Sequence, residues 1–166
     1  MRMLSALCFV LLLALPASAG ERQEYALDDL AITYDPAHWR FEPMQEGDPL
    51  TSRAATVSVR CLDCRGNAFV TISVADIARE ESEIVTDPMW ARDRRHSSMT
   101  VGELSFGITT IYSPCRNWVP PSTTARVAYR GKTYTFHSGV VVGCHDSTGV
   151  GSERFEELLR GLHPRT

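Results

Sequence analysis

Lysine is nearly missing from this chain of 166 residues: of its 17 basic residues, only Lys132 is a lysine and the rest are arginine. Use this lopsided reads as the coding bias of a GC-rich, bacterial genome rather than as a function. Positive charge is short as well, since 20 acids outnumber 17 bases. That balance argues against nucleic acid or an anionic membrane as the main partner. Past the first 15 residues no apolar run approaches the roughly 20 residues that a bilayer-spanning helix needs, so no membrane span is expected in the mature chain. There is no internal repeat and no low-complexity segment. Also missing are a nucleophile elbow, a glycine-rich phosphate cradle and a metalloprotease helix motif. The chain is therefore expected not to be an enzyme and to need no cofactor.

What is present begins with an address. Arg2 is a short positive start, Leu4 to Leu15 is an apolar run of about twelve residues, and Pro16 breaks it before Ala17-Ser18-Ala19. Small residues at −3 and −1 are what signal peptidase accepts, so residues 1–19 read as a signal peptide cleaved near Ala19/Gly20. Cys8 lies in mid-run after Leu7, which is no lipidation site. Removal of 19 from 166 residues leaves 147, one domain spanning 20–166. The expected location is periplasmic or secreted.

Export also changes the cysteine arithmetic. Cys8 leaves with the signal, and Cys61, Cys64, Cys115 and Cys144 remain, an even number in an oxidising compartment. Disulfides are the first reading, with Cys61–Cys64 and Cys115–Cys144 favoured among the three possible pairings. A loop of about 30 residues is worth roughly 3.5 kcal/mol by chain entropy and a four-residue loop about 2. The Cys-x-x-Cys motif also permits two other chemistries. One is thiol redox work, although the motif sits at a hairpin tip and not at a helix N-terminus, where the dipole would favour a thiolate. The other is a zinc site on Cys61, Cys64, Cys115 and Cys144.

Along the chain, Tyr25 to Arg40 reads as a strand ending in the turn Asp35-Pro36 before Trp39. Ala54 to Arg60 and Ala68 to Val74 alternate apolar and polar residues around the Cys61 to Asn67 tip, the signature of a β-hairpin. Asp87-Pro88 is a helix start with a carboxylate at the N-cap and proline at N1, and the helix is expected to reach His96. Val101 to Tyr112 is a strand. Thr124 to Arg130 and Lys132 to Cys144 form a second hairpin at Gly131. Phe155, Leu158, Leu159 and Leu162 recur at helical spacing after Ser152, a plausible N-cap, and Gly161 and Pro164 end that helix. The expected fold is α+β: an antiparallel sheet of hairpins covered by one or two helices, including the amphipathic C-terminal one.

A first strand running into Tyr34-Asp35-Pro36 and Trp39, a central antiparallel sheet, and a terminal helix carrying Phe155, Leu158 and Leu159 together resemble the PsbP-like superfamily. Its extrinsic photosystem subunits and many bacterial exported domains share an α-β-α sandwich. The resemblance covers most of the mature chain in outline and implies an accessory or binding role. It carries no site residues over, and the cysteines are not part of its pattern.

Among other side chains, His137 falls on the outward phase of its strand, whereas His38 and His163 read as solvated turn and terminus residues. His145 neighbours Cys144, but adjacent strand residues face opposite ways, which argues against a Cys–His nucleophile. Arg92, Arg94, Arg95 and His96 read as a solvated face balanced by Glu80, Glu81 and Glu83. Asn117, Trp118, Val119, Pro120 and Pro121 form a proline-stiffened loop with an aromatic tip, the candidate contact loop. The sequence thus points to an exported, disulfide-stabilised, non-catalytic accessory or binding protein. Its partner would be a protein or other envelope component, and the alternative is a thiol-redox or zinc-binding role for Cys61 and Cys64.

Overall fold

The structure is a computed structural model that describes residues 21–43, 55–76, 94–112, 121–139, 141–142, 146–147 and 149–165. Residues 1–20, with the expected signal, lie outside them, as do 87–93 of the expected helix.

Two-residue turns organise much of the chain. β1 (Gln23–Leu27) and β2 (Leu30–Tyr34) pair antiparallel around Asp28 and Asp29, and Asp28 takes a positive φ of 58°. The turn Asp35 to His38 is set by Asp35, whose Oδ1 accepts from the Ala37 N–H at 2.8 Å and whose carbonyl accepts from the N–H groups of His38 and Trp39. It leads into β3 (Trp39–Pro43), then β4 (Ala55–Cys61) and β5 (Phe69–Asp76). β6 (Arg94–Val101) and β7 (Leu104–Ile111) turn at Gly102, φ 56°. β8 (Ser122–Tyr129) and β9 (Lys132–Ser138) turn at Arg130 and Gly131, φ 47° and 78°, the left-handed backbone that tight hairpins need. Short β10 (Val141–Val142) and β11 (Asp146–Ser147) precede α1 (Ser152–Arg160) and β12 (Leu162–Pro164).

The strands form a seven-stranded antiparallel sheet, β3-β4-β5-β9-β8-β7-β6, a three-stranded sheet, β1-β2-β12, and the β10-β11 pair. The α+β expectation is therefore corrected: the protein is mostly β, and α1 is the one helix among the described residues. Two physical reasons account for the difference. The expected single strand Tyr25–Arg40 is broken by the Asp28–Asp29 turn into a second sheet, and Leu162 belongs to a strand rather than the helix. At the expected helix, Arg94 to His96 open edge strand β6, whose exposed side chains hide the period of two. The helix itself lies where the apolar spacing put it, burying Phe155, Leu158 and Leu159, but its N-cap is Gly151 rather than Ser152.

One core joins the two larger sheets and α1. The inner face of the large sheet supplies Val59, Val70, Ile72, Tyr134 and Phe136, the small sheet Leu30 and Ile32, and α1 its apolar stripe. Phe106 meets Phe136 edge to face at 6.2 Å. Tyr25 and Tyr34 of the small sheet pack on Phe41 of β3 at 4.6 and 4.5 Å, closing the seam between the sheets. On another seam Lys132 is held between Asp28 and Asp29, with the hydrogen bond to Asp28 the largest cause of its raised pKa. The Asp29 N–H donates to the hydroxyl of fully buried Tyr134. The single lysine is thus a tie between turns.

Ser138 fastens the end of β9 to the segment that starts α1. Its buried hydroxyl accepts from the Val150 N–H at 2.7 Å. Ser138→Ala strands that N–H in the interior and should cost about 1–3 kcal/mol in urea unfolding. A cost below about 0.5 kcal/mol would show that Val150 finds another acceptor.

Candidate functional site

The Cys61 to Asn67 tip is where chemistry-bearing side chains gather. β3–β4 register sets Trp39 opposite Cys61. The Leu62 N–H then reaches the His38 carbonyl at 2.8 Å, and the Cys61 N–H the Ala68 carbonyl at 2.9 Å. Gly66, at φ 73°, allows the chain to double back toward β5. Cys61 and Cys64 form a close pair with Cα atoms 5.5 Å apart and sulfur atoms at bonding distance, a disulfide in this structure. Cys61 is buried, Cys64 is half-buried, and Leu62 between them is the exposed large apolar residue among those described.

Three elements surround the pair with charge. Asp63 Oδ1 lies 3.3 Å from Cys61 Sγ, and its Oδ2 lies 2.9 Å from His38 Nδ1. That imidazole nitrogen is buried and has no hydrogen-bond partner, so the contact is one of proximity. The other ring nitrogen of His38 lies 3.9 Å from Asp35. Arg154, in the first turn of α1, pairs with both Asp63 and Glu157. Its pKa is raised, first by the hydrogen bond to Glu157, so the guanidinium is a fixed cation beside the tip. Cys61, Asp63 and Cys64 present donor atoms within 4.8 Å of one another.

Of the residues singled out in the sequence, Cys61 and Cys64 come together, and Pro121 leads into β8. Cys115, Cys144, Asn117, Trp118, Val119 and Pro120 lie outside the described residues, as does His145. His38 is the partly solvated turn residue that was expected, and it also faces Asp63 and Asp35. His163 keeps an exposed side chain in β12 and also meets Thr33 Oγ1 at 3.0 Å and Glu24 at 3.5 Å. Sequence reasoning missed Asp63, His38 and Arg154. Asp63 could have been noticed inside the Cys-x-x-Cys motif, but the other two carry no local signal.

His137 keeps its outward phase and bonds Thr124 Oγ1 at 2.8 Å across β8–β9. Burial pushes its imidazole below the ordinary value. A backbone hydrogen bond at Gly139 opposes that shift, and Arg126 adds to it. As pH falls through the ordinary imidazole value of about 6.5, the unfolded chain gains a proton that the native chain refuses. Stability should therefore fall with pH from about 6.5 until the native ring protonates, by at most about 1.4 kcal/mol per pH unit for this group. His137→Gln should flatten that slope in urea titrations between about pH 7 and 5.5. An unaltered slope would assign the effect elsewhere.

Among the described residues, no helix is long and apolar enough to cross a membrane. No family model and no curated protein matches the chain. A solved structure does: the solution structure of cyanobacterial PsbP (CyanoP) from Synechocystis sp. PCC 6803 is similar with a TM-score of 0.51 and 12% sequence identity. The match covers 90% of this chain and 96% of that one. At that identity the likeness concerns the path of the backbone, and on that ground the chain has a PsbP-like fold.

Proposed function

We propose that this is an exported, disulfide-stabilised, non-catalytic accessory or binding protein of the bacterial envelope, working in the periplasm or outside the cell. The observation that carries the reading is the two-way match to PsbP, in which nearly all of each chain is matched by the other. The leading segment ending in Ala17-Ser18-Ala19 supports export, and the close Cys61–Cys64 pair suits an oxidising compartment. The 117–121 segment, which carries Trp118, is the proposed contact surface with a protein or envelope component.

The test is made on protein recovered from its native compartment. The N-terminus should be Gly20, denatured unreduced protein should titrate no thiols, and the protein should sediment in an assembly larger than itself. Trp118→Ala should release it from that assembly. A monomer indifferent to Trp118→Ala, or an intact Met1, counts against the reading. One observation favours a second reading, thiol redox work: Asp63, between the paired cysteines in sequence, lies beside an imidazole and a fixed guanidinium. A reduction potential above about −250 mV would support it, since structural disulfides lie lower.

A further inference from the structure

The β4–β5 tip gathers three donors within 4.8 Å of one another: the sulfurs of Cys61 and Cys64 and the Asp63 carboxylate between them in sequence. A fourth, His38 Nδ1 of the β2–β3 turn, lies 2.9 Å from that carboxylate. His38 Nδ1 is a buried atom that lacks a hydrogen-bond partner. Its opposite ring nitrogen faces Asp35 at 3.9 Å. Metal-bound histidines commonly donate their second ring N–H to a carboxylate, and Asp35 stands on that side of the ring.

We propose that, once the Cys61–Cys64 bond is reduced, Cys61, Cys64, Asp63 and His38 hold a single soft divalent ion such as zinc. The tip then alternates between a disulfide and a metal dithiolate. Two thiolates, one carboxylate and one imidazole make a tetrahedral set of the kind zinc takes, with bonds of about 2.3 Å to sulfur and about 2.0–2.2 Å to nitrogen and oxygen. Half-buried Cys64 is the more exposed of the two cysteines. Charge also balances. Three anionic ligands around a dication leave one negative charge, which the Arg154 guanidinium beside Asp63 offsets.

The chemistry closes. A dithiol reductant gives two electrons and two protons to the disulfide and becomes a disulfide itself, leaving two thiols. The ion then displaces both thiol protons. This site needs neither Cys115 nor Cys144 and so differs from a four-cysteine centre. It goes beyond the accessory reading and also beyond simple thiol exchange, neither of which makes His38 and Asp63 ligands.

Mature protein reduced by a phosphine under argon is titrated with Co²⁺, the spectroscopic stand-in for zinc. One equivalent should bind with intense tetrahedral d–d bands and thiolate-to-cobalt charge transfer, and unreduced protein should show neither. His38→Ala and Asp63→Asn should each weaken binding by at least about tenfold. Because Asp63→Asn also removes the Arg154 pair, its unreduced melting temperature is compared with that of Arg154→Met, so a folding defect is recognised. X-ray absorption of the zinc-loaded parent provides a readout free of mutation: two sulfur and two lighter ligands are expected. A four-sulfur shell, full affinity in folded His38→Ala, or no binding after reduction overturns the proposal. None of these outcomes bears on whether the protein joins a larger assembly through Trp118.

Discussion

Replacing Gly161 with alanine is expected to cost about 3 kcal/mol and lower the melting temperature by roughly 10 °C. The cause is proximity, because Gly161 has an ordinary φ of −76°. A Cβ there would lie 2.2 Å from the Thr33 carbonyl oxygen and 3.2 Å from its carbon, backbone atoms in the middle of the small sheet. The same approach lets the Thr33 N–H reach the Gly161 carbonyl at 2.9 Å. Relief of the clash therefore means losing this bond and levering β12 away from β2, where Leu162 faces Ile32 and His163 faces Ala31. Leu158, Leu159 and Leu162 all enter the core from either side of this point, so the strain falls on buried apolar packing. Gly107→Ala is the matched control: nothing lies within 4 Å of its Cβ, and β7 has no left-handed backbone there. It should be neutral or slightly stabilising, since glycine costs entropy in a strand. Equal melting temperatures for the two variants would show that the crossing at Thr33 yields easily.

Gly161 also marks the limit of what the sequence discloses. Its role as a helix end is legible from the apolar spacing of Phe155, Leu158 and Leu159, but its contact with Thr33 depends on a pairing between distant segments. The same division holds elsewhere. Val57, Val59, Val70 and Ile72 alternate because one face of a strand pair is buried, so that hairpin can be read directly. Asp28 takes a positive φ without being glycine, so the turn that splits off the small sheet leaves little trace. β6 sits at an edge with Arg95, His96, Ser97 and Ser98 exposed in succession, and without a buried face there is no alternation to read. At the site, the Cys-x-x-Cys motif is local and visible. Arg154 reaches Asp63 across 91 positions, and His38 arrives only through the β3–β4 register. What local periodicity encodes is legible, and what long-range docking encodes is not.

Trp39 is where that docking can be tested against the site. It is 2% exposed, follows His38, and lies opposite Cys61 in the register. Its indole N–H is buried without a hydrogen-bond partner among the described residues. Trp39→Ala should lose about 3–5 kcal/mol, the range for removing a large aromatic side chain from a packed core. Trp39→Phe should cost only about 1–2 kcal/mol, because it keeps much of the ring and removes a polar group that was desolvated without return. Equal losses for the two variants would mean that the indole N–H has a partner and carries the stability. The consequence reaches the tip through the Leu62 N–H bond to the His38 carbonyl, the link next to Trp39 that holds the tip down. With the indole gone, the backbone at His38 and Cys61 loses its support, and buried Cys61 opens to solvent. Reduction by a small phosphine, followed by alkylation in native buffer, should then run several-fold faster in Trp39→Ala and near the parent rate in Trp39→Phe. If both variants reduce at the parent rate while Trp39→Ala is destabilised as expected, the tip is held independently of the core. Control of the cysteine pair would then rest with Asp63 and its partners His38 and Arg154 alone.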